Sequence, residues 1–130
     1  MAERDALRVT AVLATHADLE IRLGLFWIAL LHGRVRASLA ATTGVTSGQE
    51  VAKYLLAGAD AVMTASALLR QGPEHLRSLV DGLSDWMTQK GYASVEQARG
   101  TMSHRNVADP TTFERANYIR ILENYKSRWG

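Results

Sequence analysis

Cysteine is absent from all 130 residues. That excludes disulfides, thiolate nucleophiles and cysteine-ligated metal or iron–sulfur centres, and it makes the cytoplasm the expected compartment. An excess of either charge is also missing: 15 basic against 13 acidic residues leave a formal net charge of +2, scattered along the chain. Charge dispersed in this way builds no basic patch, so nucleic acid is not an expected partner. The most apolar stretch, Ile21 to Leu31, carries Arg22 near its start and is too short to span a bilayer, so no membrane partner is expected either. The opening MAERDALR mixes both charge signs and precedes no long apolar run, unlike a secretory signal. Internal repeats and low-complexity tracts are lacking. So are the H-E-x-x-H pattern and the G-x-S-x-G elbow: His16, His32, His75 and His104 are widely spaced, and Ser38 and Ser47 stand in other contexts. No metal ligand set and no hydrolytic nucleophile is assigned. What remains is a globular balance, 47% hydrophobic and 22% charged, in a length suited to one domain.

The chain alternates short apolar runs with segments of helical period. Val9 to Ala14, Val35 to Ala41 and Ala61 to Thr64 read as three strands. Between the first two, Leu19, Leu23, Phe26, Trp27, Leu30 and Leu31 recur at helical spacing up to Gly33. Between the last two, Glu50, Val51, Tyr54, Leu55 and Ala57 carry a helix that Thr46 or Ser47 caps and Gly58 ends. Strand, helix, strand, helix, strand with little room between favours parallel strands joined by helical crossovers. Pro73 suits a first helical position, and Leu76, Leu79, Val80, Leu83, Trp86 and Met87 mark one face of a helix to about Gly91 that is expected to cover the outside of the sheet. Beyond Gly91 only helices are expected: Val95 to Arg99, then a last helix opening at Asp109-Pro110. Trp27 and Trp86 are expected in the core, and Trp129 at the surface.

Chemistry is concentrated in the loops. A phosphate needs backbone N–H groups aimed at one point and small residues that let the chain approach. Thr42-Thr43-Gly44-Val45 follows one expected strand and precedes a helix, and Thr42, Thr43, Thr46 and Ser47 are available as hydroxyl donors. The next strand ends in Thr64-Ala65-Ser66, again small and hydroxylated. Two such loops after consecutive strands match the phosphate site that barrels build after their seventh and eighth strands. His16, after the first strand, reads as a polar loop residue, with substrate contact the alternative. Glu20, Asp60, Asp81 and Asp85 read as helix surfaces or caps.

Thr43-Gly44-Val45, Ala57-Gly58-Ala59-Asp60, Val62 and Ala65-Ser66-Ala67-Leu68 resemble the FMN phosphate segment of dihydroorotate dehydrogenases, which reads Gly-Gly-Ile, Ala-Gly-Ala and Gly-Thr-Ala-Leu. Tyr92 to Tyr118, with Ser94-Val95-Glu96-Gln97, Gly100-Thr101-Met102-Ser103 and Arg105-Asn106-Val107, resembles the C-terminal extension of dihydroorotate dehydrogenase-like proteins of bacteria. Together the likeness runs over roughly residues 8 to 126. It implies an α/β fold: about three βα units from the C-terminal part of a TIM barrel over residues 1–90, then a helical C-terminal extension over 91–130. It implies FMN as cofactor, with its phosphate on Thr43, Gly44, Val45, Ala65 and Ser66, and oxidoreduction of a CH–CH bond in pyrimidine biosynthesis. In the family, the catalytic serine or cysteine, a lysine near the flavin and the asparagines that bind the pyrimidine lie upstream of the matched region, so no catalytic residue is assigned here. The three strands would be the sixth to eighth of the barrel. The chain is then expected to be a fragment with little turnover alone, or to be completed by a second copy or by the missing half-barrel. The alternatives left open are a non-catalytic half-barrel that binds a phosphate ligand and another phosphate-binding barrel enzyme. Thr43 stands where the family usually has its first glycine and Ala65 where it often has another, and each adds a Cβ that disfavours positive φ.

Overall fold

The computed structural model of the chain describes residues 18–106 and residue 119. The expected strand over residues 9–14, His16, the helix expected from Asp109-Pro110 and Trp129 lie outside them. Within them the order is α1 (Asp18–Leu31), β1 (Ala40–Ala41), α2 (Gly48–Ala57), β2 (Ala61–Val62), α3 (Ser66–Gln71), α4 (His75–Lys90), α5 (Val95–Ala98) and a 3-10 turn (His104–Asn106). This is mixed α/β structure built on one β-α-β unit. β1 and β2 pair in parallel, Ala40 opposite Ala61 and Ala41 opposite Val62, with α2 as the crossover.

α2 is fixed by local chemistry at both ends. Ser47 caps it, its Oγ accepting from the Gln49 N–H, while the Glu50 carboxylate accepts from the Ser47 N–H at 2.7 Å. Gly58 ends it in the left-handed region at φ 117°. The core gathers Ile21, Leu25 and Ile28 of α1, Ala41 of β1, Val45, and Tyr54, Ala57 and Ala59 from α2 and its exit. Their spacing in α1 is helical, and Leu39, Val51 and Val62 pack against the same cluster. The strand face made of Ala40, Ala61 and Met63 is exposed.

Four sequence expectations are corrected. The strands are shorter than Val35 to Ala41 and Ala61 to Thr64. The Arg34 and Val35 N–H groups turn back to the Leu31 carbonyl, residues 35–38 are exposed, and no strand forms before Ala40. Flanking contacts extend the pairing without regular ladder, through Asp60 N–H to Leu39 O at 2.8 Å and Met63 N–H to Ala41 O at 2.8 Å. Pro73 is not the first helical residue: α4 opens at His75, and the Leu76 N–H reaches the Pro73 carbonyl in the turn before it. α4 has α2, not the sheet, as its main partner. Gly48 and Gly82 meet where those two helices cross, and a Cβ on Gly48 would lie 2.5 Å from the Gly82 backbone. Only Leu79 of α4 is fully buried, and Leu76 and Val80 are exposed. Trp27 is 46% exposed, set edge-on to Phe26, while Trp86 is half-buried and stacked on Tyr92.

Residues 95–106 dock on the C-terminal end of α2. The Gly100 and Met102 N–H groups reach the Leu55 and Leu56 carbonyls, both at 2.9 Å. Asp60 accepts from the Leu39 N–H and from Arg99 at 3.0 Å. His32 Nδ1 meets the Gly58 carbonyl, and its ring fills the space that a Cβ on Gly58 or Gly100 would take.

Candidate functional site

β1 and β2 are parallel neighbours, so the loops that leave their C-terminal ends, residues 42–47 and 63–65, emerge side by side. A direct bond ties them: Thr64 Oγ1 donates to the Val45 carbonyl at 2.9 Å. A second tie comes from α4, whose His75 Nε2 bonds the Thr46 carbonyl at 2.8 Å. The structure therefore brings Thr43, Gly44 and Val45 together with Ala65 and Ser66 at one end of the sheet.

The backbone at Thr43 and Gly44 is left-handed at two successive residues, φ 82° and 71°. Among the described residues Thr43 is the sole non-glycine with positive φ. The glycine is required on two counts, since a Cβ at Gly44 would also lie 2.9 Å from the Ile21 Cβ. Ala65 has φ −131° and needs no glycine, so the expected conflict between a Cβ and positive φ arises at Thr43 alone.

Beneath this loop lies Tyr54, wholly buried. Its hydroxyl donates to both the Thr42 carbonyl, at 2.8 Å, and the Thr43 carbonyl, at 2.9 Å. Burial pushes its phenol up to about 12. The hydroxyl is thus a neutral donor at any physiological pH. Sequence reading gave Tyr54 only a place in the helix pattern; its function as the loop's anchor depends on Gly24 of α1, where a Cβ would collide with the hydroxyl.

Donors remain on the other side of the loop. The N–H groups of Thr43, Gly44, Val45, Ala65 and Ser66 have no protein acceptor among the described residues. Thr43, Ala65 and Ser66 are exposed. Unpaired N–H groups on two adjacent loops of small residues suit an anion. The hydroxyls expected of Thr46 and Ser47 are not available to it, because both engage Glu50 and close the α2 N-terminus with the protein's own carboxylate. Arg70 supplies the cation that sequence reading missed: its guanidinium donates to the Ser66 hydroxyl and carbonyl, at 3.3 and 3.2 Å. The i,i+4 spacing of Ser66 and Arg70 was the available signal. Asp81 and Asp85 are exposed on α4, away from any such cluster. Among the described residues no group of three or more histidines, aspartates and glutamates is placed to hold a metal, and no helix is long and apolar enough to cross a membrane.

No family model matches the chain. It is similar to a protein named dihydroorotate dehydrogenase A (fumarate) in Aeropyrum pernix, 35% identical over 75 residues, which is 58% of this chain and 24% of that protein. A protein of that name in Enterococcus faecalis is 38% identical over 61 residues, 47% of this chain and 20% of its own. The dihydroorotate dehydrogenase (fumarate) of Trypanosoma cruzi is 40% identical over 57 residues, 44% of this chain and 18% of its own. The matched stretch spans a quarter or less of each relative's length. Over that stretch the chain is similar in sequence to dihydroorotate dehydrogenases (fumarate).

Proposed function

We propose that this chain carries the FMN phosphate site of a dihydroorotate dehydrogenase-like oxidoreductase, with Thr43, Gly44, Val45, Ala65 and Ser66 as the phosphate ligands. The observation that carries the reading is the pair of loops with unpaired N–H groups at the ends of adjacent parallel strands, tied together by Thr64. The groups present fit a phosphate monoester. Unpaired backbone donors lie on two loops that emerge side by side, Arg70 adds positive charge beside Ser66, and no acidic side chain bonds either Thr43 or Ala65. Bound there, the flavin supplies a two-electron acceptor for oxidation of a CH–CH bond, and the relatives' names point to dihydroorotate, a pyrimidine precursor, with fumarate as oxidant. This chain's own residues hold and orient the phosphate end.

The architecture that accords with this reading is the C-terminal part of a TIM barrel followed by a helical extension. Barrel strands bury both faces. Here Ala41 and Val62 face the helices, and the exposed Ala40, Ala61 and Met63 form the face that a barrel interior, completed by further strands or a second copy, would cover.

Titration of the chain with FMN, followed by flavin fluorescence, tests the assignment against riboflavin, which lacks the phosphate. Saturable binding of FMN with riboflavin at least roughly 10-fold weaker is expected from several charge-assisted hydrogen bonds. Equal affinity for the two flavins, or no binding by a cooperatively folded chain, sinks the phosphate assignment.

A further inference from the structure

A buried tyrosine hydroxyl has one proton, and Tyr54 shares it between two successive carbonyls of the same loop. Among the described residues no peptide bond is cis. In a trans peptide the carbonyl and the following N–H point in opposite directions. Drawing the Thr42 carbonyl toward Tyr54 therefore turns the Thr43 N–H away from it. Drawing in the Thr43 carbonyl turns the Gly44 N–H away in the same manner. These are two of the N–H groups without a protein acceptor. The arrangement also fixes a conformation that Thr43 disfavours, since a β-branched residue at φ 82° needs its surroundings to hold it.

We infer that Tyr54 is the positioning residue of the anion loop: its hydroxyl, admitted by the missing side chain of Gly24, locks Thr43 and Gly44 in the left-handed backbone that faces their N–H groups outward. The ligand-binding half of this inference rests on the flavin phosphate reading, whereas the conformational half stands on the loop geometry. Tyr54 touches no ligand. It acts through the two carbonyls, and it stabilises in this chain what a glycine at position 43 would adopt unaided.

The experiment uses the full chain with Tyr54→Phe, Thr43→Gly and both together. The Cα and Cβ chemical shifts of Thr43 report its backbone conformation, and FMN titration reports the site. In the parent the shifts are those of a left-handed residue, and Tyr54→Phe moves them toward extended values. In the Thr43 background Tyr54→Phe weakens FMN binding roughly 10-fold, and in the Thr43→Gly background by less than about threefold, because glycine needs no lock. Unchanged Thr43 shifts in Tyr54→Phe overturn the inference. So does an equal loss of FMN affinity in both backgrounds, which marks a merely structural tyrosine. If Tyr54→Phe fails to fold, Gly24→Ala displaces the same hydroxyl with the tyrosine retained and must move the Thr43 shifts likewise. A parent that binds no FMN while its shifts respond as stated refutes the flavin reading and supports the positioning role.

Discussion

Thr43→Gly is the substitution for which the loop makes the sharpest demand. Thr43 sits at φ 82°, and an L-residue in the left-handed region costs roughly 1–2 kcal/mol, with a β-branched residue at the upper end. Glycine removes that cost but loses more backbone entropy on folding, by roughly 0.5–1 kcal/mol. The side chain gives up nothing else. Thr43 is exposed, and the one hydrogen bond at this residue is accepted by its carbonyl, which glycine keeps. The net expectation is a gain of about 1 kcal/mol, read as a rise of about 4 °C in the thermal midpoint or the matching shift in a urea titration. Thr43→Ala is the control, because it keeps a Cβ at the same φ and recovers only the smaller penalty of branching. A Thr43→Gly chain that is less stable than the parent, or no more stable than Thr43→Ala, would refute the claim that the left-handed backbone at this residue is strained.

Further outcomes follow from the packing around the same loop. Gly24→Ala places a Cβ on the Tyr54 hydroxyl and is expected to destabilise by about 2 kcal/mol in urea unfolding, less in a Tyr54→Phe background where the hydroxyl is gone. Tyr54 has its folded-state pKa raised from 10.0 to about 12, so the unfolded chain loses the proton first. The Tyr54 contribution is then complete below pH 10 and is lost as pH rises through 12, roughly 2–3 kcal/mol in all, and Tyr54→Phe lacks this component when the two are compared by alkaline unfolding. Ser47→Ala removes the α2 cap and is expected to cost about 1 kcal/mol, measured in the same way.

What was legible in the sequence was local. Ser47 and Gly58 bound α2, and Gly91 closes α4 in a left-handed turn, because caps act within a few residues of themselves. The short helix expected over Val95 to Arg99 forms as Val95–Ala98 for the same reason, with Ser94 as its cap. The strands were overestimated because an apolar run becomes a ladder only where a partner strand lies, and residues 35–38 have none among the described residues. Trp27 misled because helical period alone does not say which side of a largely apolar helix turns inward; Ile21, Leu25 and Ile28 took that side. The loops themselves were legible as small and hydroxylated. The pairing of Tyr54 with Gly24 was not, because it joins two helices through the absence of a side chain, and an absence on one helix carries no signal about the other.

The location of the unpaired donors follows from how α2 is finished at its two ends. At its start Glu50 occupies the N-terminus, so the most exposed donors there already have an anion of the protein's own. At its finish, carbonyls that would face water are taken by the chain itself: Leu55 and Leu56 by Gly100 and Met102, and Gly58 O by His32. A helix satisfied at both ends has little left to offer a ligand, but it is a rigid mount. Tyr54 stands within that mount and reaches into the loop after β1, so the position of the loop is tied to the packing of α1 against α2 through Gly24. An anion bound by the outward N–H groups would then bear on a backbone whose opposite side is already hydrogen-bonded to a buried, neutral hydroxyl. This arrangement gives the loop its geometry before any ligand arrives, and it accounts for how position 43 tolerates a residue other than glycine.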